Sequence, residues 1–381
     1  MSWTTTLGRA ALAVLLAGCD ADADERESDT SPDAAASGED DASAWVEVER
    51  ARFNSDGESE TLTIRDQGPA DAVALRVTSD PGVCFQLSAL VDGRGREVVG
   101  GRSPGVDCRG CALRTSMAAA AGVFVLLSDA ERFEPETGLA LRLAQLDCET
   151  LTPLSTPDSR PPLRVELQAI AAAPEEAALD LRFLVADSSI LRGDGPRQAA
   201  LMDALREELA EAGIVPRLVE TVDLDVLSPE LRFHAGDPSD LAAALAEAPP
   251  KAETAVDVVF GACLRYDDPI FGPPRAVNGF TPRIPGGAGP ADAVFMPGLD
   301  CLTPSAGPVD VPVDVQAHVL AHELGHYLGL FHAVEENGGA DPLDDTGPDN
   351  IMHYNPERAA SVGFSPAQGR VMRAHPAVQA L

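Results

Sequence analysis

Three histidines and a glutamate between residues 321 and 332 (AHELGHYLGLFH) have the types and spacing that metal chemistry needs. His322 and His326 are four residues apart, so on a helix their imidazoles lie on one face and can bind one ion. Gly329 can adopt a left-handed conformation that ends the helix, after which the chain can turn and bring in His332 as a third ligand. Catalytic zinc keeps three protein ligands and a water molecule, and Glu323 would lie beside that water. The pattern therefore predicts a catalytic zinc site.

A second motif follows downstream. Residues 350–354 read NIMHY, which places Met352 two positions before Tyr354. An extended histidine motif followed by such a methionine resembles the metzincin metallopeptidases. Within them, the segment that runs through Asp344, Asp345 and Thr346 to NIMHY is most similar to the pappalysin family. The resemblance covers residues 315–375 and is looser over the rest of the C-terminal half.

The resemblance implies a zinc-dependent endopeptidase and gives each matching residue a role. Zinc lowers the pKa of a bound water molecule and polarises the scissile carbonyl. Glu323, as the general base, would take a proton from that water and pass it to the leaving amine. Tyr354 would donate a hydrogen bond to the oxyanion, and Met352 would lie beneath the metal without touching it. The implied zinc ligands are His322, His326 and His332.

The loop between the third histidine and NIMHY is acidic. Related peptidases bind calcium in this region, so the loop is a candidate Ca²⁺ site, with a solvated acidic loop as the alternative. Glu335 matches the family's acidic residue just after the third histidine, where it would accept a structural hydrogen bond. The candidate calcium residues are Asp341, Asp344, Asp345 and Thr346.

The remaining histidines lack ligand spacing. His318 lies one helical turn before His322, and we predict that it supports the site or lies at the surface rather than binding metal. His353 falls inside NIMHY and is predicted to point away from the metal. His234 and His375 have no partner pattern and receive no role.

Composition and charge limit the possible functions. The chain has 381 residues, of which 45% are hydrophobic, which is enough for two soluble domains. The formal net charge of −33 argues against nucleic acid as a partner and against electrostatic docking on anionic lipid. Such an acidic chain is compatible with high solubility and with calcium binding.

The N-terminus has the layout of an export signal. In residues 1–19, Arg9 precedes an apolar run that is too short to span a bilayer. The run ends in Leu-Ala-Gly-Cys, which resembles a lipoprotein box in which Cys19 is lipidated, and an ordinary signal peptide is the alternative. Residues 20–44 hold ten acids and one arginine and are predicted to form a disordered tether. The expected location is the cell envelope, on a membrane through the lipid anchor, or alternatively secreted.

Residues 45–150 read as β structure. Short apolar runs alternate with turn signals such as Ser-Asp-Gly at 55–57 and Asp-Gly at 92–93. Their spacing favours an all-β sandwich or jelly-roll. Nothing in it looks catalytic, so it is a binding module, a pro-domain or a spacer. Residues 151–162, rich in proline, serine and threonine, are the predicted linker.

Residues 163–381 are predicted to form the catalytic domain. Strands and helices alternate and lead into a helix at residues 311–330, which carries the zinc motif. This order agrees with a metzincin, in which a twisted sheet is backed by helices. The predicted fold class is therefore α+β, with a zincin-like domain after an all-β domain. The predicted strands are 163–172, 178–186, 214–226, 255–264 and 293–296, and the predicted helices before the last one are 195–212 and 239–248.

Six cysteines remain besides Cys19, and an even number in an exported chain indicates disulfides. The domain division suggests that Cys263 pairs with Cys301 and that the other four pair among themselves. Those four are Cys84, Cys108, Cys111 and Cys148. The Cys-Arg-Gly-Cys run at 108–111 could alternatively be a redox or metal knuckle, or a cysteine there could hold the zinc in a latent form.

Two functions from different classes fit these observations. The first is an exported, lipid-anchored zinc endopeptidase that hydrolyses peptide bonds in proteins or peptides. The second is a cell-surface binding lipoprotein whose β domain carries the function and whose zinc site is vestigial. A structural zinc site fits less well, because three histidines leave one coordination position open and structural sites are closed.

Overall fold

The computed structural model describes residues 45–381, apart from residues 81, 100–120, 149, 151, 188, 226–229, 234–238, 252–253, 262, 268–274, 288–291, 298–310, 336–340, 342 and 356–362. The predicted signal, Cys19 and the acidic tether lie outside the described residues, as do His234, Cys108, Cys111 and Cys301. Everything described falls within one compact unit of residues 42–381. In that part of the chain, no helix has both the length and the apolar composition to cross a bilayer.

The described residues form a mixed α/β structure. The helices are α1 (Gly195–Leu209), α2 (Ser239–Ala246), α3 (Val313–Tyr327) and α4 (Pro366–Arg373). The strands are β1 (Val46–Arg52), β2 (Leu62–Ile64), β3 (Ala72–Thr78), β4 (Cys84–Asp92), β5 (Glu97–Val99), β6 (Ala121–Leu127), β7 (Leu139–Leu146), β8 (Pro162–Ile170), β9 (Ala177–Ala186), β10 (Ile214–Leu224), β11 (Glu230–Phe233), β12 (Val256–Phe260), β13 (Cys263–Tyr266), β14 (Arg275–Val277), β15 (Val294–Met296) and β16 (Val378–Ala380).

Two antiparallel four-stranded sheets form the N-terminal half. Their strand orders are β1-β8-β3-β6 and β2-β7-β4-β5. Both sheets contribute side chains to one apolar core, which includes Phe53, Phe85, Leu75 and Leu141. A disulfide joins Cys84 on β4 to Cys148 just after β7. Disulfide formation is thus confirmed for one pair among the four N-terminal cysteines.

The strand at residues 162–170 belongs to the sandwich that these two sheets form rather than to the C-terminal half. β8 pairs with β1 on one side and with β3 on the other, and its residues Leu163, Val165 and Leu167 lie in the sandwich core. Part of the preceding proline-rich stretch is bonded there as well, since Leu154 N–H donates to Gln145 O at 2.9 Å. The structure therefore differs from the assignment of strand 163–172 to the catalytic half. The reason is that the apolar face of the strand is complementary to the sandwich core, which local composition does not reveal.

The C-terminal half is built on a parallel sheet of order β10-β9-β12-β15, and β16 adds antiparallel to β9. The Asp194 carboxylate accepts from Arg197 N–H at 3.0 Å and so caps α1. One face of α1, which carries Leu201, Leu205 and Leu209, packs in the same core as Leu320 of α3. The sheet and α1 thus support the helix that carries the histidine motif.

Two predicted elements end differently in the structure. The strand predicted at 255–264 is divided into β12 and β13, because the chain changes direction at Gly261 (φ 152°) and β13 joins a separate sheet with β11 and β14. The helix predicted at 311–330 is shorter at both ends, since Pro312 precedes its first turn and the chain leaves the helix at Leu328. Gly329 follows with φ 110°, a conformation that favours glycine.

The two halves are in contact. Ala374, just after α4, lies in an apolar cluster with Ala72 of β3 and with Val123 and Val125 of β6. A hydrogen bond of 3.0 Å from Ala173 N–H to the Asp71 carboxylate joins the same region. The outer face of the first sheet of the sandwich therefore packs against the C-terminal segment.

Candidate metal centre and active site

Helix α3 and the turn at Gly329 bring three histidines together. His322 and His326 lie one helical turn apart, and Leu330 N–H closes the end of the helix by donating to Gly325 O at 2.9 Å. The chain then returns, so that His332 faces His326 with an Nε2–Nε2 distance of 3.1 Å. The ligand atoms of His322, His326 and His332 all lie within 4.8 Å of one another.

The outward-facing nitrogen of each ring has an acceptor, which determines the tautomer. A carbonyl or carboxylate oxygen beside Nδ1 requires that Nδ1 carry the proton, so Nε2 presents a lone pair to the centre of the group. His322 and His326 are buried, and His332 is partly buried. The acceptors are Ile351 O for His322 (2.7 Å), Leu330 O for His326 (2.7 Å) and Glu335 Oε2 for His332 (2.9 Å).

This donor set fits a zinc ion. Two Nε2 lone pairs that face each other at 3.1 Å repel unless a cation lies between them, and tetrahedral zinc places two imidazole nitrogens about 3.3 Å apart. Burial lowers the pKa of His322 to about 3, with the nearby His332 adding to the effect, and burial also lowers the pKa of His326 well below its usual value. Both rings are therefore neutral at neutral pH, which is the form that binds metal.

The NIMHY segment is hydrogen-bonded to the segments that carry the histidines. Ile351 O is the acceptor for His322, and Ala333 N–H donates to Met352 O at 2.8 Å, which ties the segment to the chain just after His332. Met352 is fully buried beneath α3, where a Cβ on Gly325 would approach its sulfur to 2.6 Å. The absence of a side chain at position 325 therefore lets Met352 pack directly under the helix.

Helix α4 holds this segment through a buried pair of amides that sequence reasoning did not find. Asn350 Nδ2 donates to Gln368 Oε1 at 3.0 Å, and Gln368 Nε2 donates back to Asn350 Oδ1 at 2.9 Å. Asn350 Oδ1 also accepts from Met352 N–H at 2.9 Å. Ser365 and Gln368 form a capping box at the start of α4. The Ser-Pro-Ala-Gln run at 365–368 is the signal that could have predicted this helix.

Glu323 lies next to His322 on α3, about 100° further round the helix, and its carboxylate is buried at 7% exposure. Thr281 Oγ1 lies 2.9 Å from Glu323 Oε2. Burial raises the pKa of the Glu323 carboxyl to about 8, and the hydrogen bond from Thr281 opposes that change. Thr281 was not predicted as a site residue, since it belongs to a proline- and glycine-rich stretch with no motif.

The other residues singled out in the sequence have contacts of their own. Tyr354 N–H donates to Val334 O at 3.1 Å, and its ring stacks on His353 with centroids 4.6 Å apart. His353 Nδ1 accepts from Asn355 N–H at 3.0 Å. His318 Nδ1 lies 3.2 Å from Glu208 Oε2 on α1, so His318 links the two helices.

The candidate calcium residues each have a protein partner of their own. Asp341 Oδ1 accepts from the Thr346 hydroxyl at 2.6 Å. Asp344 pairs with Arg132 of the sandwich at 2.5 Å. Asp345 accepts from the Ser365 hydroxyl at 2.7 Å and from Ala367 N–H at 3.0 Å, at the start of α4. In the structure these carboxylates organise the loop, and calcium binding stays a prediction.

No family model matches this sequence, and no curated protein matches it either.

Solved structures of metal-dependent peptidases show partial similarity to the chain. Archaemetzincin from Methanopyrus kandleri is 16% identical, with a TM-score of 0.27, over 54% of this chain and 91% of that one. Metalloproteinase-II from Bacteroides fragilis is 13% identical, with a TM-score of 0.34, over 56% of this chain and 63% of that one. A zinc-dependent peptidase from Methanocorpusculum labreanum is 14% identical, with a TM-score of 0.29, over 50% of this chain and 99% of that one.

Proposed function

We propose that this protein is a zinc-dependent endopeptidase that hydrolyses peptide bonds in proteins or peptides. The observation that carries the proposal is the convergence of three Nε2 lone pairs, on His322, His326 and His332, with the buried Glu323 next to His322 on the same helix. Three neutral imidazoles leave a fourth zinc position open, which is typical of catalytic rather than structural sites. A zinc ion bound there would polarise a carbonyl and lower the pKa of a water molecule.

The chain's own groups would carry the proton transfers. Glu323 would accept a proton from the attacking water and deliver it to the leaving amine. Tyr354 would donate a hydrogen bond to the oxyanion of the tetrahedral intermediate. Glu335, Ile351 and Leu330 would hold the three imidazoles in the ligating tautomer.

The proposed family, the lipid attachment and the role of the acidic tether rest on the sequence. The histidine motif and the NIMHY segment support membership of the metzincins, with the pappalysin family as the most similar branch. The Leu-Ala-Gly-Cys run at 16–19 supports export and lipid attachment through Cys19, and hence a place at the cell envelope. The acidic tether would then hold the folded unit away from the membrane surface.

The proposal is tested with the purified full chain and a proteome-derived peptide library, with cut sites identified by mass spectrometry. We expect cleavage that is abolished by a zinc chelator and restored by added zinc. Glu323→Ala should reduce turnover about 10²–10⁴-fold while one zinc per chain is retained, because Glu323 acts on the water and not as a ligand. Glu207→Ala, an exposed change on α1, is the matched control and should leave turnover unchanged.

The same experiment separates the two candidate functions. A wild-type chain that binds zinc tightly but cleaves no peptide would contradict the peptidase and favour a binding protein with a vestigial site. Normal cleavage by Glu323→Ala would contradict the assignment of the general base.

A further inference from the structure

A threonine far from the motif in the sequence contacts the predicted general base. Thr281 Oγ1 lies 2.9 Å from Glu323 Oε2 and 2.9 Å from the main-chain oxygen of the same residue. Both Thr281 and Glu323 are 7% exposed, so solvent does not compete strongly for the hydroxyl proton, which these two oxygens share. The hydroxyl therefore holds the carboxylate relative to the helix turn from which it projects.

The segment that carries Thr281 is fixed to the central sheet. Phe280 N–H donates to Phe295 O, and Phe295 N–H donates back to Phe280 O, both at 2.9 Å. Phe295 belongs to β15 and is fully buried. The Phe280 ring also packs against Phe233 of β11, with centroids 4.1 Å apart. Phe280 is thus anchored through both its main chain and its ring. This fixes the position of Thr281, the next residue, relative to Glu323.

Gly279, two residues earlier, lies against the same carboxylate. A Cβ at this position would lie 2.7 Å from Glu323 Cγ, 2.9 Å from Glu323 Oε1 and 3.0 Å from Val319 Cγ1. These distances are shorter than normal van der Waals contacts, so any side chain at 279 would displace Glu323 or the helix beside it. Glycine at position 279 therefore leaves space for Glu323 Oε1, and Thr281 contacts the other carboxylate oxygen, Oε2.

We propose that Thr281 is the positioning residue for the general base: its hydroxyl holds Glu323 Oε2, and the absence of a side chain at Gly279 leaves the space that Glu323 Oε1 occupies. This inference rests on the proposed peptidase function. Without the hydroxyl, the carboxylate can rotate about its last side-chain bond, and a displacement of about 1 Å can reduce a rate on the order of 10²-fold.

The kinetic test uses the zinc-loaded full chain and one peptide substrate. Thr281→Val keeps the shape of the side chain and removes the hydroxyl, so we expect kcat to fall about 10–100-fold with KM and zinc content nearly unchanged. Thr281→Ser restores the hydroxyl and should recover kcat to within about 3-fold. Gly279→Ala should lower kcat in the same way as Thr281→Val. An unchanged kcat in Thr281→Val, or a failure of serine to restore it, would overturn the proposal.

A stability measurement tests the contact between Thr281 and Glu323 independently of catalysis. Thr281→Val should lower the unfolding midpoint by about 2–4 °C in the wild-type background, because a buried hydrogen bond to a carboxylate is lost. In a Glu323→Leu background the same change should have about half that effect, because the single hydroxyl proton then donates to the neutral main-chain oxygen instead of to a carboxylate. Equal shifts in both backgrounds would overturn the proposal. A wild-type chain that cleaves no peptide would instead contradict the proposed function, while this comparison still reports on the contact.

Discussion

At the scale of single residues, the orientation of the three imidazoles depends on groups that the motif does not contain. Spacing alone predicts that His322 and His326 share a helix face and that Gly329 ends the helix. Spacing does not predict that Ile351 O, which is 29 residues away, accepts from His322. Residues that lie within one helical turn of each other can therefore be predicted from the sequence. The hydrogen-bond acceptors that orient the imidazoles cannot, because they come from distant segments.

Glu335 provides a test at this scale. Its carboxylate accepts from His332 Nδ1 at 2.9 Å and so raises the basicity of the ligating nitrogen. Glu335→Gln should weaken zinc affinity about 10–100-fold, measured by competition with a chromophoric chelator. Glu207→Gln, an exposed change of the same chemistry on α1, is the control and should leave the affinity unchanged. Equal affinities in all three proteins would show that the contact does not support the metal.

His375 makes acid sensitivity a second test. Burial lowers the pKa of His375 to about 4, against an ordinary value of 6.5, and its Nδ1 accepts from Ala377 N–H at 3.1 Å. The neutral ring is therefore favoured in the folded state, while the unfolded state binds a proton below pH 6.5. The contribution of the neutral His375 ring to the free energy of unfolding is complete above pH 6.5, and it is lost as the pH falls towards 4. The loss amounts to about 3 kcal/mol.

The measurement is urea unfolding of wild type and His375→Asn between pH 4 and pH 8. Asparagine keeps an acceptor for Ala377 N–H but does not titrate. The difference in the free energy of unfolding between the two proteins should therefore shrink as the pH is lowered. Parallel pH profiles would contradict the assignment to His375.

At the scale of elements, the sequence predicted α1 from its apolar periodicity and the central parallel strands β9 and β12 from their continuous apolar runs, because these strands are buried along their length. The elements that escaped prediction are short, such as β14 and β16, or gain their partners from distant segments, such as α4. α4 matters for the site, because Gln368 binds Asn350, and Asn350 precedes the residue that accepts from His322. Its sequence offered a capping box, but the helix has only eight residues, and an apolar pattern over so short a segment does not distinguish a helix from a loop.

Gln368→Ala tests whether α4 stabilises the NIMHY segment. The change removes both amide hydrogen bonds to Asn350 and leaves that buried amide without these partners. The free energy of unfolding should fall by about 3 kcal/mol, as measured by urea denaturation. Zinc affinity should also fall, by about 10-fold, because Ile351 O is no longer held in place for His322.

The control at this scale is Gln379→Ala, a glutamine in the same C-terminal segment whose hydrogen bonds are exposed or only partly buried. It should cost less than about 1 kcal/mol and leave zinc affinity unchanged. A Gln368→Ala protein that matches this control in both measurements would show that the buried amide pair has no supporting role.

At the scale of the whole molecule, composition suggested a linker at 151–162 between two independent domains. The structure instead bonds residues 152–154 to the end of β7, where Asp147 N–H donates to Thr152 O and Leu154 N–H to Gln145 O, and places β8 between β1 and β3. A proline-rich composition indicates irregular backbone, but it does not indicate whether the backbone is packed or free. The limits of the predicted domains stay a prediction, and the contacts of Ala374 with β3 and β6 indicate that the two halves stabilise each other.

Fragments test this mutual stabilisation. A chain that begins at residue 163 would keep nearly all of β8 without either neighbouring strand and would expose Leu163, Val165 and Leu167, which are at most 3% exposed in the full chain. Exposure of each such side chain costs about 1.5–3 kcal/mol. We expect fragment 163–381 to aggregate or to melt at a lower temperature than residues 45–381, and to bind zinc more weakly. Co-expression with residues 45–162 should restore both properties, because the missing strands pair with β8 in trans. If fragment 163–381 alone matched the longer chain in melting temperature and zinc affinity, residues 45–162 would not be needed to stabilise the metal centre.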